Sequence, residues 1–184
     1  MTQPLPPHGL ALTRLGEVPG VEHAAARTFC LETIKEFYGF DYRPDWHADL
    51  DSLLLPAEGN HYSAHHRGAF WTLRAPGGEI LATGGIRHLG WKPNIPPMFP
   101  GRYPRPEDVT SLWRVYVRKD QRGRGLGRWL TALCEDEAIR LGFDRMYLHA
   151  TADAAATIAF WNAMGYADIG TIDDSTHFDK ALTS

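Results

Sequence analysis

The sequence predicts a single mixed α/β domain, a mixed sheet with helices on its faces, and three observations carry that reading. The 184-residue length is what one hydrophobic core can serve. A composition of 43% hydrophobic, 11% aromatic and 22% charged residues supplies such a core and excludes disorder, collagen and heptad arrays. Short β-favouring runs and helix-period segments follow one another in the order β-α-α-β-β-β-α-β-α-β. No internal repeat or long linker divides the chain, so residues 1–184 are read as one domain with a flexible tail over 1–7.

His8 to Leu15 is an apolar run suited to a first strand. Gly20 to Tyr38 carries Ala24, Ala25, Phe29, Ile34 and Phe37 near helical spacing, and Gly39 ends that helix. Pro44 to Leu55 is a weaker helix stopped by Pro56, and Glu58 to Arg67 is a polar loop. Ala69 to Ala75 and Glu79 to His88 flank Pro76-Gly77-Gly78 and read as an antiparallel hairpin. Gly90 to Pro106 is an insert holding six of the thirteen prolines, interleaved with Trp91, Met98, Phe99 and Tyr103, and cannot be a central strand. It is read as a lid or pocket wall, or else as a stiff excursion or a homodimer contact.

From Thr110 the β-favouring run Leu112 to Val117 predicts a strand. A glycine-rich basic turn then opens a helix from Gly125 to Leu141, closed by Gly142. Met146 to Ala150 is a further strand, and Asp153 is placed to cap a helix running to Met164 before Gly165. In the tail, Thr176 to Phe178 supplies a last strand.

The net charge of -3 argues against nucleic acid or an anionic membrane surface as partner, leaving only a local basic patch for phosphate. No apolar run reaches the ~18 residues of a membrane span. The two cysteines, Cys30 and Cys134, cannot make a disulfide framework, and the start shows no secretory pattern, so a cytoplasmic location is expected. His61, His65 and His66 lack a carboxylate or cysteine at ligand spacing, so no metal is expected there.

The chemistry concentrates in the strand, turn and helix from Val115 to Arg128. Alternate glycines at 123, 125 and 127 let the main chain approach a ligand closely. The first N–H groups of the following helix have no intrahelical partners and sit at its positive end, and Arg118, Arg122, Arg124 and Arg128 add charge. The segment is therefore an anion cradle. Its spacing fits neither G-x-x-x-x-G-K-[ST] nor G-x-G-x-x-G.

Arg122-x-x-Gly125-x-Gly127 and, downstream, Phe160-Trp161-x-x-x-Gly165-Tyr166 together resemble the GNAT N-acetyltransferase superfamily. The resemblance covers about Gly68 to Phe178. It implies an acyl-CoA N-acyltransferase fold, a mostly antiparallel sheet with one splayed parallel strand pair, and acetyl-CoA as cosubstrate. By the same resemblance, the diphosphate lies on the amides of Arg122, Gly123, Arg124, Gly125, Leu126 and Gly127, with Arg128 beside them. The pantetheine runs along Val115 and Val117, and the Val115 amide, seven residues before Arg122, polarises the thioester carbonyl. The acceptor is a primary amine of a small molecule or a peptide terminus, attacking directly in a ternary complex.

Three positions depart from the family pattern. Trp161 stands where a tyrosine often serves as general acid and is given a packing role against the cofactor. Ser111 stands where some relatives carry a base, and Ala154 where an asparagine often opens the last helix. Candidates for the proton-handling groups are His149, Glu107 and Ser111, with Asp108 and His88 nearby in sequence. Two further readings stay open: a transferase with another acyl group or a hydroxyl acceptor, and a non-catalytic CoA-binding regulatory module.

Overall fold

A computed structural model describes residues 6, 7 and 9–182. Most of the tail expected over 1–7, and His8 at the head of the first strand, lie outside the described residues. The elements are β1 (Ala11–Arg14), α1 (Val21–Tyr38), α2 (Pro44–Ser52), β2 (Ala69–Arg74), β3 (Ile80–His88), β4 (Thr110–Val117), α3 (Leu126–Arg140), β5 (Arg145–Thr151), α4 (Ala155–Ala163), β6 (Ala167–Ile172) and β7 (Ser175–Ala181). They form one seven-stranded sheet in the order β1-β2-β3-β4-β5-β7-β6. Every neighbouring pair is antiparallel except β4 and β5.

The fold class stands as the sequence predicts, with one added strand. The tail holds a hairpin, β6 and β7, where a single strand is expected. Asp173 and Asp174 make its two-residue turn at φ +48 and +60, the conformation a tight hairpin needs and one that aspartate tolerates. The second helix stops at Ser52, three residues short of expectation, in a series of turns through Leu55. Ala154, not Asp153, occupies the N-cap of α4, and no side chain caps it. Gly39 ends α1 in the left-handed conformation, as expected.

Alternation along the strands divides the core in two. Trp71, Leu73, Ala82, Ile86, Leu112, Met146, Leu148 and Phe178 face α3 and α4, meeting Leu130, Leu133 and Trp161. Phe70 and Tyr62 face α1 and α2, meeting Ala26, Cys30, Ile34 and Leu50. Gly85 has no room for a side chain, because an added Cβ would lie 2.6 Å from Phe70 and 2.9 Å from Tyr62. The two free cysteines are buried in different cores, Cys30 on α1 and Cys134 on α3.

The proline-rich segment between β3 and β4 coils through short 3₁₀ turns at Leu89–Trp91, Pro96–Met98 and Pro106–Asp108. It lies on the second face, where Leu89, Ile95 and Tyr103 pack on Tyr147 of β5. A buried carboxylate on β7 fastens it: Asp179 accepts two hydrogen bonds from Arg102, at 2.7 and 2.8 Å, and one from the Tyr103 hydroxyl at 2.9 Å. Burial opposes ionisation of Asp179, but these donors outweigh it and hold its pKa below the ordinary value.

One irregularity in β4 sets the site. Gly85 pairs with Trp113 and Thr83 with Tyr116, so Gly84 alone opposes Arg114 and Val115. Arg114 occupies this bulge at φ +52, a conformation that costs an L-residue ~1–2 kcal/mol. The extra residue reverses the alternation. Leu112, Val115 and Val117 pack toward α3, while Trp113 and Tyr116 pack toward α1 and α2.

The bulge is pinned at both ends of its residue. The Thr83 hydroxyl donates to the Arg114 carbonyl at 2.9 Å, and the guanidinium donates to both Asp49 oxygens at 2.6 and 2.9 Å. Asp49 also accepts from the Tyr62 hydroxyl at 2.6 Å. Burial alone would raise the Asp49 pKa, but Arg114 overcomes it and the carboxyl is held well below the usual range.

Asp49→Ala leaves the buried Arg114 charge without its partner and should cost ~3–5 kcal/mol in urea unfolding. Because the folded pKa is depressed, the pair stabilises above the unfolded value of ~3.9 and its contribution fades as pH falls below that. A variant as stable as the parent at neutral pH would show that the pair does not hold the bulge.

Candidate active site

The parallel strands β4 and β5 pair only at Thr110 with Met146 and Ser111 with Tyr147. Beyond Ser111 they part, so among the described residues the stretch of β4 from Leu112 to Val117 has no partner on its β5 side, whereas β5 remains paired with β7 through Thr151. Val115 and Val117, the predicted cofactor-contacting residues of this strand, therefore line a splay whose unpaired main-chain groups can receive a ligand's amides.

The cradle lies just past the splay. Arg118 donates its amide to Leu81, a short 3₁₀ turn spans Lys119–Gln121, and the Arg122 Nε returns to the Val117 carbonyl at 3.1 Å. Gly123 and Gly125 adopt φ +75 and +80, and a Cβ at either would meet nothing within 4 Å. Glycine is needed there for its conformation and for the open approach it leaves, not because neighbours crowd it. Gly125 is the N-cap of α3, its carbonyl accepting the Trp129 amide at 3.0 Å. Among the described residues, no amide from Gly123 to Arg128 donates to a main-chain carbonyl outside the helix ladder. Leu126 is buried and anchors the first turn of α3, so these donors are fixed in place.

The four arginines are not equivalent. Arg118 is held by Asp120 through bonds of 2.6 and 2.8 Å. Arg122 lies over the Phe37 ring at 5.3 Å. Arg124 and Arg128 are exposed and, among the described residues, pair with no carboxylate. This arrangement of open amides and available guanidinium groups fits a diphosphate.

Gly127 sits in the first turn of α3, where an added methyl would meet Phe160 at 3.6 Å and Val117 at 3.8 Å. Phe160 is thus the aromatic beside the cradle. Trp161 is 8% exposed and packs edge-on to Phe160 and Tyr166, with ring centroids 4.8 and 5.6 Å away.

The candidate proton-handling residues are dispersed. Ser111 is buried; its hydroxyl donates to the Arg87 carbonyl at 3.0 Å and accepts the Trp113 indole N–H at 2.9 Å. Glu107 is exposed in the turn before β4, at the end of the strand remote from the cradle, where its carbonyl accepts from Arg67. His88 ends β3 beside Trp91. Only His149 stands at the splay, its ring 5.5 Å from Trp113 in an edge-to-face contact. Burial, and then the charge of Lys92, push its pKa down to about 3.

His149 opens onto a cleft on the face opposite α3. Lys92, Asn94, Ile95 and Met98 of the proline-rich segment form one wall, and the β6–β7 hairpin with His177 forms the other. The cavity volume is about 180 Å³, and the cleft is open to solvent. The proline-rich segment, left open in sequence between a lid or pocket wall, a stiff excursion and a dimer contact, supplies one wall here; Lys92, Arg87 and Asp49 carry no sequence signal, because their proximity to Trp113 and Arg114 comes from long-range packing. His61, offered as a loop residue, stacks on Trp91 at 4.0 Å and meets Arg87 at 2.8 Å. Among the described residues no group of three or more His, Cys, Asp or Glu is arranged to hold a metal ion, and no helix is long and apolar enough to cross a membrane.

A splayed parallel pair with an anion cradle at one end and an open cleft on the other face defines an acyltransferase architecture. The family model for the acetyltransferase (GNAT) family matches residues 31–166, and the chain belongs to that family. It is 28% identical over 101 residues to the uncharacterized N-acetyltransferase YjgM of Escherichia coli K12; the match covers 55% of this chain and about half, 52%, of that protein. Among solved structures, an acetyltransferase of the GNAT family from Staphylococcus aureus Mu50 superposes with a TM-score of 0.69 at 16% identity, covering 94% of this chain and all of that one. The PaiA N-acetyltransferase of Thermoplasma acidophilum, solved in complex with coenzyme A, superposes at 0.63 with 10% identity, covering 93% of this chain and 99% of that one. These identities speak for the fold alone.

In an imidazole NMR titration His149 should stay neutral down to about pH 3, whereas an unperturbed histidine titrates near ~6.5. Unfolding frees the ring to protonate, so its burial costs stability as pH falls below ~6.5, and His149→Gln should flatten that part of the stability profile. A midpoint near that of a free imidazole would contradict the buried placement.

Proposed function

We propose that this GNAT acetyltransferase uses acetyl-CoA to acetylate a primary amine of a small molecule or peptide terminus in a ternary complex. The observation that carries the reading is the run of open amides from Gly123 to Arg128 placed directly beyond the β4–β5 splay. The diphosphate rests on those amides, with Arg122, Arg124 and Arg128 as counter-charges. The pantetheine lies in the splay along Val115 and Val117, walled by Phe160 with Trp161 behind it.

Acetyl-CoA supplies an activated thioester. In the exchange one C–N bond replaces one C–S bond, the acyl group passes to the amine, and the ammonium proton balances the thiolate released. The Val115 amide, belonging to the second residue of the bulge, donates to the oxyanion that develops on the acetyl carbonyl in this reading. His149 is neutral at neutral pH and can accept a hydrogen bond from the incoming amine or its water. Its low basicity assigns the proton to solvent. No tyrosine is needed at position 161, because a thiol of pKa ~8.5 leaves without a strong acid. Proximity is then the main catalytic contribution.

The test is calorimetry with acetyl-CoA followed by thiol release on an amine panel. Gly125→Val should weaken acetyl-CoA binding by more than about tenfold, since the side chain disfavours the left-handed conformation and covers the amides. Gly127→Ala should bind normally, its methyl making ordinary contacts with Phe160 and Val117. Unchanged affinity in the Gly125 variant would contradict the cradle, and binding without turnover of any amine would favour the regulatory module.

A further inference from the structure

Positive charge is concentrated just behind the cleft beside His149, around Trp113. Three cationic heads surround the Trp113 ring: Arg87 at 4.0 Å, Lys92 at 4.9 Å and Arg114 at 5.4 Å from its centroid. Arg114 is fully engaged by Asp49. Arg87 is 3% exposed, and among the described residues its buried Nε has no hydrogen-bond partner. Its Nη1 meets the His61 ring, a neutral group held to about 4 by burial and then by Arg87 itself. Among the described residues neither Arg87 nor Lys92 forms an ion pair.

A buried arginine with a vacant donor is costly, and native proteins satisfy such groups. Asp49 reaches Arg87 only through its longer-range charge, its oxygens being taken by Arg114 and Tyr62. Asp173, on the cleft's opposite wall, is exposed on the hairpin turn. The surplus charge is also in the wrong place for the cofactor diphosphate. Arg87 pairs in register with Ser111, and the cradle begins after Val117. Six residues of strand put roughly 20 Å between them.

We infer that the acceptor amine carries an oxyanion group, a carboxylate or a phosphate, which Lys92 receives on the cleft wall with the buried charge of Arg87 beside it over Trp113, while the amine lies toward His149 and the splay. This deepens the acetyltransferase reading and rests on it. Lys92 on the cleft wall makes the first contact, and Arg87 supplies the buried charge. The negative group also offsets the Lys92 charge, which adds to burial in depressing His149.

The experiment compares matched acceptors with the full chain at saturating acetyl-CoA, after calorimetry has established that acetyl-CoA binds. The pairs are free amino acids (glycine, serine, methionine, phenylalanine, glutamate) against their carboxamides, and phosphoethanolamine against ethanolamine, each corrected for its free-amine fraction. At least one anionic member should exceed its neutral partner in kcat/KM by roughly tenfold to a hundredfold, the range for a charged hydrogen bond. The amino-acid and phosphate arms tell the two oxyanions apart. Lys92→Met should collapse that ratio mainly through KM, while Arg105→Met, an exposed residue paired with Asp108, should leave it unchanged. Neutral amines favoured equally or better overturn the proposal, as does acetyl-CoA binding with no turnover of any anionic amine. Failure of acetyl-CoA to bind overturns the acetyltransferase reading instead.

Discussion

The organisation of the site depends on a single residue held out of register. Arg114 accepts a backbone conformation worth ~1–2 kcal/mol of strain, and the neighbouring structure over-determines it through the Thr83 hydroxyl and the Asp49 carboxylate. The bulge turns Val115 and Val117 toward α3 and leaves Trp113 on the opposite face. A regular strand would have placed all three on one side. Two ligands can therefore meet at β4 from different faces, because the strand changes its alternation where it parts from β5.

The local parts of this design are legible in the sequence. Arg122 to Arg128 can be read as an anion cradle because its chemistry belongs to consecutive backbone groups and to glycine's freedom at positive φ. The hairpin around Pro76-Gly77-Gly78 and the helix ended by Gly39 are legible for the same reason. The β6–β7 hairpin is less so, since Asp173-Asp174 turns the chain without the glycine that usually announces such a turn. The bulge has no one-dimensional signature, because Arg114 is a strand residue by composition.

Long-range juxtapositions account for what sequence alone does not reveal. Asp49 sits in a weak helix sixty-five residues from Arg114, yet closes the pair that stabilises the bulge. Arg87 and Lys92 look like ordinary charged residues at a strand end and in a proline-rich stretch. Only pairing of β3 with β4 brings Arg87 over Trp113. Conversely, Glu107 is close to β4 in sequence but lies at its far end. Proximity along the chain is a poor guide when a strand carries successive residues ~3.3 Å further apart.

The fastening of the proline-rich arm through Asp179 has a consequence for how this scaffold diversifies. Arg102 and Tyr103 staple the arm to β7, while Lys92, Asn94, Ile95 and Met98 project from an earlier stretch of it. Substitutions at Lys92 and the exposed Asn94 can remodel one wall without disturbing the staple, whereas Ile95 and Met98 also pack in the cluster on Tyr147. The exposed part of the arm is thus separable from the contacts that keep the molecule folded.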